Sequence, residues 1–270
     1  VLGRLACVGT GISVIYTPHC WSFAEGFPNA NLYRWIERCL APLATRIVTV
    51  CEQERLFGLS RGVGSAAKTI CIHNGVNEIE GNQGNKERSA DDQAPRILMV
   101  ARFEEQKDQE LLLRALGDNS DLDWHLTLVG DGPLKEVCED VASQSGIAPR
   151  VEFAGYSNRV EEHLNRADIF ALITHWEGFP RSILEAMRAG LPVIVSDVGG
   201  CSESVADGLT GRVVRHDDQE HLAGALRELL SNRQQRLDMG IRSLESYTDN
   251  FTFEIMYQKY LSLYRGLCVT

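Results

Sequence analysis

The chain has 270 residues, 27 basic and 37 acidic side chains, a net charge of −10, 44% hydrophobic and 24% charged residues, and 24 glycines. That length allows one large or two modest domains, each able to bury a core, and the mixture excludes collagen-like, mucin-like and disordered chains. A general nucleic-acid binder is excluded by the acid balance, since residues 97–270 hold 28 acidic against 17 basic side chains.

The longest early apolar run, residues 5–16, has 12 residues and two glycines, short of the ~20 that a spanning helix requires. No signal peptide opens the chain, which starts with Val1, so residues are expected to be missing upstream. The first part alternates a helix over 2–8, a strand over 13–17, a helix over 32–40, a strand over 46–50, a helix over 52–59 and a strand over 68–72. Three parallel strands make a poor independent sheet, as in the tail of a larger domain. Residues 78–94 are polar, with one large apolar residue, and make a linker by composition. Strands over 97–101, 125–129, 151–154, 168–174 and 192–196 then alternate with helices over 106–116, 134–143, 160–165 and 180–189. This pattern describes a doubly wound parallel sheet. Helices over 219–230 and 251–264 end the chain. The eight cysteines form no Cys-x-x-Cys, which argues against zinc and a disulfide scaffold and for reduced thiols in a cytoplasmic protein.

Between the strand over 168–174 and the helix over 180–189 stands His175-Trp176-Glu177-Gly178-Phe179-Pro180. Proline suits a first helical turn. Glu177, Gly178 and Phe179 therefore lie at a strand's carboxyl end facing a helix N-terminus, where N–H groups and the dipole suit a phosphate. Glu185 lies roughly 7 to 8 Å beyond Pro180 at ~1.5 Å per residue, where a carboxylate can accept bonds from both hydroxyls of a ribose. The plain alternative makes Glu177 a favourable helix-start charge and Glu185 an exposed helix residue. Arg102 and Lys107 follow the strand over 97–101, and two cations there can converge on the same crevice and hold a leaving diphosphate. Gly130-Asp131-Gly132-Pro133 is a tight strand-to-helix turn.

Several patterns are discounted. Asp121-Leu122-Asp123 precedes a strand instead of following one, and Gly62-Val63-Gly64-Ser65-Ala66-Ala67 leads to a strand rather than a helix. The remaining histidines (73, 125, 163, 175, 216, 221) form no metal-ligand cluster by spacing. Six of the 20 aromatic residues (Tyr16, Trp21, Phe23, Phe27, Tyr33, Trp35) fall in residues 16–36, as an acceptor platform, a membrane-facing patch, or the core under the helix over 32–40.

Arg102 to Lys107, Gly130-Asp131-Gly132-Pro133, Glu177-x7-Glu185, Ala189-Gly190-Leu191-Pro192 and Gly199-Gly200-x-x-Glu203 together resemble the nucleotide-sugar half of retaining GT-B glycosyltransferases of family 4. Asn74-Gly75-Val76 looks like that family's boundary motif. The segment Tyr16-Thr17-Pro18-His19-Cys20-Trp21-Ser22-Phe23 is similar to the acceptor side of its exopolysaccharide and capsule members. The resemblance covers residues 2–230. It implies an α/β GT-B fold, two Rossmann-like doubly wound parallel-sheet domains with a cleft between them, the first domain incomplete. Residues 1–77 would be the end of the acceptor-side domain, 78–95 a linker, 96–246 the nucleotide-sugar-binding domain, and 247–270 a C-terminal helix packing back on the first. Arg102 and Lys107 would then contact the diphosphate, Glu177 the sugar hydroxyls beside the Gly178 and Phe179 amides, and Glu185 the ribose, with His19 at the catalytic centre.

The resemblance further implies a retaining, metal-independent transferase without cofactor. Its partners would be a nucleotide-sugar donor and a glycan or lipid-linked acceptor in surface polysaccharide synthesis, in the cytoplasm at the inner membrane face with a peripheral membrane contact. Family members carry further strands and a Gly-rich donor loop ahead of residue 2, so the chain is expected to be N-terminally truncated and unable to transfer sugar. A nucleotide-sugar epimerase of the same fold and a binding module without turnover are the alternatives.

Overall fold

The computed structural model describes residues 2–24, 29–78 and 93–268; Phe27 and most of the expected linker lie outside them. In the first part, α1 (Leu2–Ala6), β1 (Ile15–Tyr16), α2 (Ala30–Leu40), β2 (Arg46–Thr49), α3 (Glu52–Ser60) and β3 (Thr69–Cys71) alternate, and the three strands pair in parallel in the order β1-β2-β3. β1 is shorter than expected because the Val14 N–H donates to the Thr45 hydroxyl (2.9 Å) instead of joining the ladder. Trp21 and Phe23 are buried in this half, stacked on each other at 5.1 Å and, through Phe23, on Phe57 at 5.7 Å. They are core residues, whereas Tyr33 and Trp35 on α2 are exposed.

The second part contains β4 (Arg96–Val100), α4 (Gln109–Gly117), β5 (His125–Val129), α5 (Lys135–Gln144), β6 (Val151–Gly155), α6 (Val160–Arg166), β7 (Ile169–Leu172), α7 (Arg181–Arg188), β8 (Val193–Ser196), α8 (Gly200–Ser204), β9 (Gly211–Val214) and α9 (Gln219–Ser231). Its six strands are parallel in the order β6-β5-β4-β7-β8-β9. β7 and β8 are buried at every residue, as strands covered on both faces must be. Chain order reverses between β4 and β7, and ligands bind outside the carboxyl ends of the strands at such a switch point.

Three elements escape the sequence reading: α8, β9 and, after α9, the 18-residue α10 (Arg233–Asn250). The buried positions of α10 are Arg236, Met239, Gly240, Ser243 and Tyr247. They keep helical spacing but are mostly small or polar, so no aliphatic stripe announces them. α10 also runs through residue 247. The chain then crosses back: Tyr247 Oη donates to the Val76 carbonyl (3.0 Å), the Val76 N–H to the Phe251 carbonyl (3.1 Å), and the Phe253 N–H to the Val76 carbonyl (2.8 Å). From there α11 (Phe253–Cys268) lies on the first part, with Met256 Sδ accepting the Gly75 N–H and Tyr260 bonded to Thr17. No described helix is long and apolar enough to cross a membrane.

Candidate functional site

The loop after β4 does not enter a helix at residue 106 as expected, because the loop after β7 holds it. Residues Lys107 and Thr174 form an antiparallel bridge, the Asp108 N–H donates to the Ile173 carbonyl (3.0 Å), and the His175 N–H donates to the Gln106 carbonyl (2.9 Å). The Gln106 side-chain amide donates to the Trp176 carbonyl (2.6 Å). Only then does α4 start, with the Asp108 carboxylate accepting from the Leu111 N–H as N-cap.

This clasp puts Lys107 against Glu177, and the two form a largely buried ion pair. Burial pushes the Lys107 ammonium down to about 8, against the opposing pull of Cys201 and Glu104. Arg102 goes elsewhere. Its guanidinium is 75% exposed, pairs with Glu104 at 2.6 Å, and borders a separate 740 Å³ hollow with Gly130, Gly132 and Tyr156. The expected convergence of the two cations on one crevice is not what the structure shows: the bridge to Thr174 draws Lys107 toward β7, while Arg102 stays beside β5.

Glu177, Gly178 and Phe179 precede α7, whose N-cap is Pro180 and which no side chain caps. Proline thus stands one residue before the helix rather than in its first turn. A Cβ on Gly178 would collide with the carbonyl oxygen of His19, so the lack of a side chain here lets the two halves meet. Gly199 has φ +50°, and a Cβ there would strike the Glu177 carbonyl. His19 follows β1 with its backbone against Gly178 and its side chain exposed. Glu185, one turn into α7, borders a third hollow of 720 Å³ with Asn158, Arg159, Arg181 and Arg188. Burial raises its carboxyl, and Arg181 and Arg188 oppose that shift.

The halves enclose a 390 Å³ cleft lined by Trp21, Glu54 and Phe57 on one side and His175, Trp176 and Glu177 on the other. Glu54 and His175 were missed as site residues. Glu54 is buried, and one carboxylate oxygen accepts from the Val50 N–H (3.3 Å) while Oε1 has no partner. Burial pushes its carboxyl up to about 7; the Val50 N–H works against this and Glu203 adds to it. Its sequence signal is Cys51-x-x-Glu54 at the α3 N-terminus, where Cys51 Sγ accepts the Glu54 N–H (3.4 Å). Glu203 joins the halves. Its carboxylate accepts from the Glu52 N–H (2.8 Å) and the Gln53 N–H (2.5 Å) at the start of α3, and Oε2 lies 3.1 Å from His73 Nε2. Asn74 donates to the Phe179 carbonyl across the same junction (2.7 Å).

The histidines that spacing left scattered are regrouped by the fold. Cys71, His73 and Glu203 come together, as do His175, His216 and Asp217, each trio with potential ligand atoms within 4.8 Å of one another.

A family profile described as "Glycosyl transferases group 1" matches residues 83–245, well over half of the chain. An "Uncharacterized 41.2 kDa protein in cps region" of Klebsiella pneumoniae is 26% identical over 250 residues, covering 84% of this chain and 68% of that protein. The Escherichia coli "UDP-Gal:alpha-D-GlcNAc-diphosphoundecaprenol alpha-1,3-galactosyltransferase" is 27% identical over 242 residues, covering 84% of this chain and 62% of that protein. Across these and other curated relatives the chain spans between 38% and 68% of the relative's length. Among solved structures, Anabaena Alr3699/HepE in complex with UDP and glucose superposes with a TM-score of 0.82 at 19% identity, over 98% of this chain and 74% of that one. At that identity the likeness shows a shared fold.

Proposed function

The chain belongs to the group 1 glycosyltransferases and has their GT-B architecture, and from that premise we propose that it serves a retaining, metal-independent transfer of a sugar from a nucleotide diphosphate donor to a hydroxyl of a glycan or lipid-linked glycan. The observation that carries this reading is the buried Lys107–Glu177 pair at the switch point, beside the uncapped start of α7 and across from His19. A carboxylate there accepts sugar hydroxyls, with the Gly178 and Phe179 amides beside it. Lys107, once a diphosphate competes with Glu177 for it, supplies positive charge to the leaving group, and Arg102 adds more from the next hollow. Glu185, in its half-buried setting, takes the ribose hydroxyls, and His19 faces the reacting sugar.

Retention requires the acceptor to arrive on the face from which the diphosphate leaves, and an oxygen of the leaving phosphate takes the acceptor proton. The protein's part is then fixed positive charge where negative charge grows, for which a single donor group can be worth ~10²-fold or more in rate. Relatives named for sugar transfer to diphosphoundecaprenol-linked GlcNAc and to phosphatidylinositol mannoside support a lipid-linked glycan acceptor. The test is transfer from UDP- and GDP-sugars to such acceptors, with the product's anomeric configuration read by NMR. An inverted product would overturn retention, and loss of turnover in EDTA would overturn metal independence.

A further inference from the structure

We propose that His175, His216 and Asp217 form a binding site for a divalent transition-metal ion of the zinc type at the rim of the interdomain cleft. His175 follows β7, while His216 and Asp217 follow β9 two strands away, so only the folded sheet brings them together. His175 Nδ1 lies 3.1 Å from His216 Nε2 and 3.3 Å from Asp217 Oδ1. Three donors around a tetrahedral ion with bonds of ~2.0 to 2.1 Å stand about 3.3 Å apart. Two of the three donor separations are therefore near that spacing, and all three donors lie within 4.8 Å of one another.

His216 Nδ1 is 2.9 Å from Asp217 Oδ2, and His175 Nε2 faces the Asp108 carboxylate at 3.6 Å. The Asp108 carboxylate favours a ring N–H at His175 Nε2, which turns the His175 Nδ1 lone pair toward His216 Nε2 and Asp217 Oδ1. Asp108 is itself fixed by capping α4 through the Leu111 N–H (3.0 Å), so it can orient His175 in the way outer carboxylates orient metal-bound histidines. Two imidazoles and one carboxylate suit zinc and its neighbours better than magnesium or calcium, which favour all-oxygen sites. His175 and His216 line the cleft with Glu177 and Asp197, so an open fourth position is available to water or a ligand oxygen.

The other trio is less suited. Both oxygens of Glu203 are committed to the Glu52 and Gln53 amides and to His73, and a metal there would have to break the junction between the halves.

This site lies on the β9 side of the sheet, away from Arg102, and its test does not depend on sugar transfer. Zn²⁺ is titrated by calorimetry and Co²⁺ by visible absorption into the full chain and into His175→Ala, His216→Ala, Asp108→Asn and Cys71→Ser, each checked for folding by circular dichroism. We expect one ion per chain, a tetrahedral Co²⁺ spectrum, at least tenfold weaker binding in either histidine variant, and unchanged binding in Cys71→Ser. Asp108→Asn keeps a helix-capping residue, so it should fold and yet bind about 10- to 100-fold more weakly. Absence of saturable uptake at millimolar Zn²⁺, uptake indifferent to the histidine variants, or uptake lost in Cys71→Ser would overturn the proposal.

Discussion

Glu203→Gln tests how the two halves are held in register. The carboxylate accepts the first two N–H groups of α3 and pairs with His73 across the junction. Although burial pushes its carboxyl up, the His73 bond and the Glu52 and Gln53 amides outweigh that and hold it below the usual glutamate range. Hydrogen bonds to a charged group contribute about 1.5 to 3 kcal/mol each and neutral ones about 1. Glutamine keeps one carbonyl oxygen, so one charged bond becomes neutral and the other is lost. The side chain is 23% exposed, which favours the low end, and the expected cost is about 2 to 3 kcal/mol.

For a chain of this size that corresponds to a fall in Tm of roughly 4 to 10 °C. Because the folded-state carboxyl is depressed, its contribution is complete above the ordinary glutamate value and is lost as the pH falls through the lowered one. The Tm difference between wild type and variant should therefore close below about pH 4. Calorimetry across pH, with hydrogen exchange at the Glu52 and Gln53 amides, makes the measurement. Unchanged exchange at those two amides together with a Tm shift under about 1 °C would refute the idea that Glu203 holds α3.

Gly178→Ala is expected to force the His19 carbonyl away, destabilising the junction by about 1 to 3 kcal/mol; equal stability to wild type in urea would count against close apposition of the halves. Glu185→Gln should raise the donor Kd at a cost of about 1 to 3 kcal/mol, measured by calorimetry with UDP and GDP, and unchanged affinity would remove the ribose role. Glu54, raised to about 7, binds a proton in the folded chain that the unfolded chain has released, so stability should fall as pH rises from about 4.5 to 7, by up to about 3 kcal/mol. Glu54→Gln should flatten that slope in urea titrations at fixed pH, and an unaltered slope would mean that another group titrates.

How much of this was legible in sequence depends on whether an element states itself locally. β7 and β8 are short, mostly apolar runs bounded by turn residues, and α7 opens just after a proline, so strand, turn and helix could be placed within a residue or two. α10 could not, since its buried face is built of Arg236, Gly240 and Ser243 and contains only two large apolar residues, Met239 and Tyr247. The chemistry divides in the same way. Glu177 and Glu185 announced themselves by lying on one strand-turn-helix unit. Glu203 on α3 and His216 beside His175 are pairings between residues 150 and 41 positions apart, which no periodicity encodes. The separation of Arg102 from Lys107 was equally hidden, because it follows from a backbone bridge to Thr174.

The contacts that assemble the cleft come from both ends of the chain. Glu203, Asn74 and the bare face of Gly178 join the halves at the carboxyl ends of their strands, while the passage from α10 to α11 joins them again at Val76. Gly75, next to Val76, has no room for a side chain because the Thr252 carbonyl occupies that space. Residues 75 and 76 are therefore gripped by the returning chain, next to the His73 contact with Glu203. Glu54 and Glu177 stand on opposite walls of that cleft. The distance between them, and with it access to the Lys107–Glu177 pair, is set by the Glu203 cap together with the apolar seam in which Val50, Cys51 and Val76 share a core with Phe179 and Cys201 and His73 stacks on Phe179 at 4.6 Å.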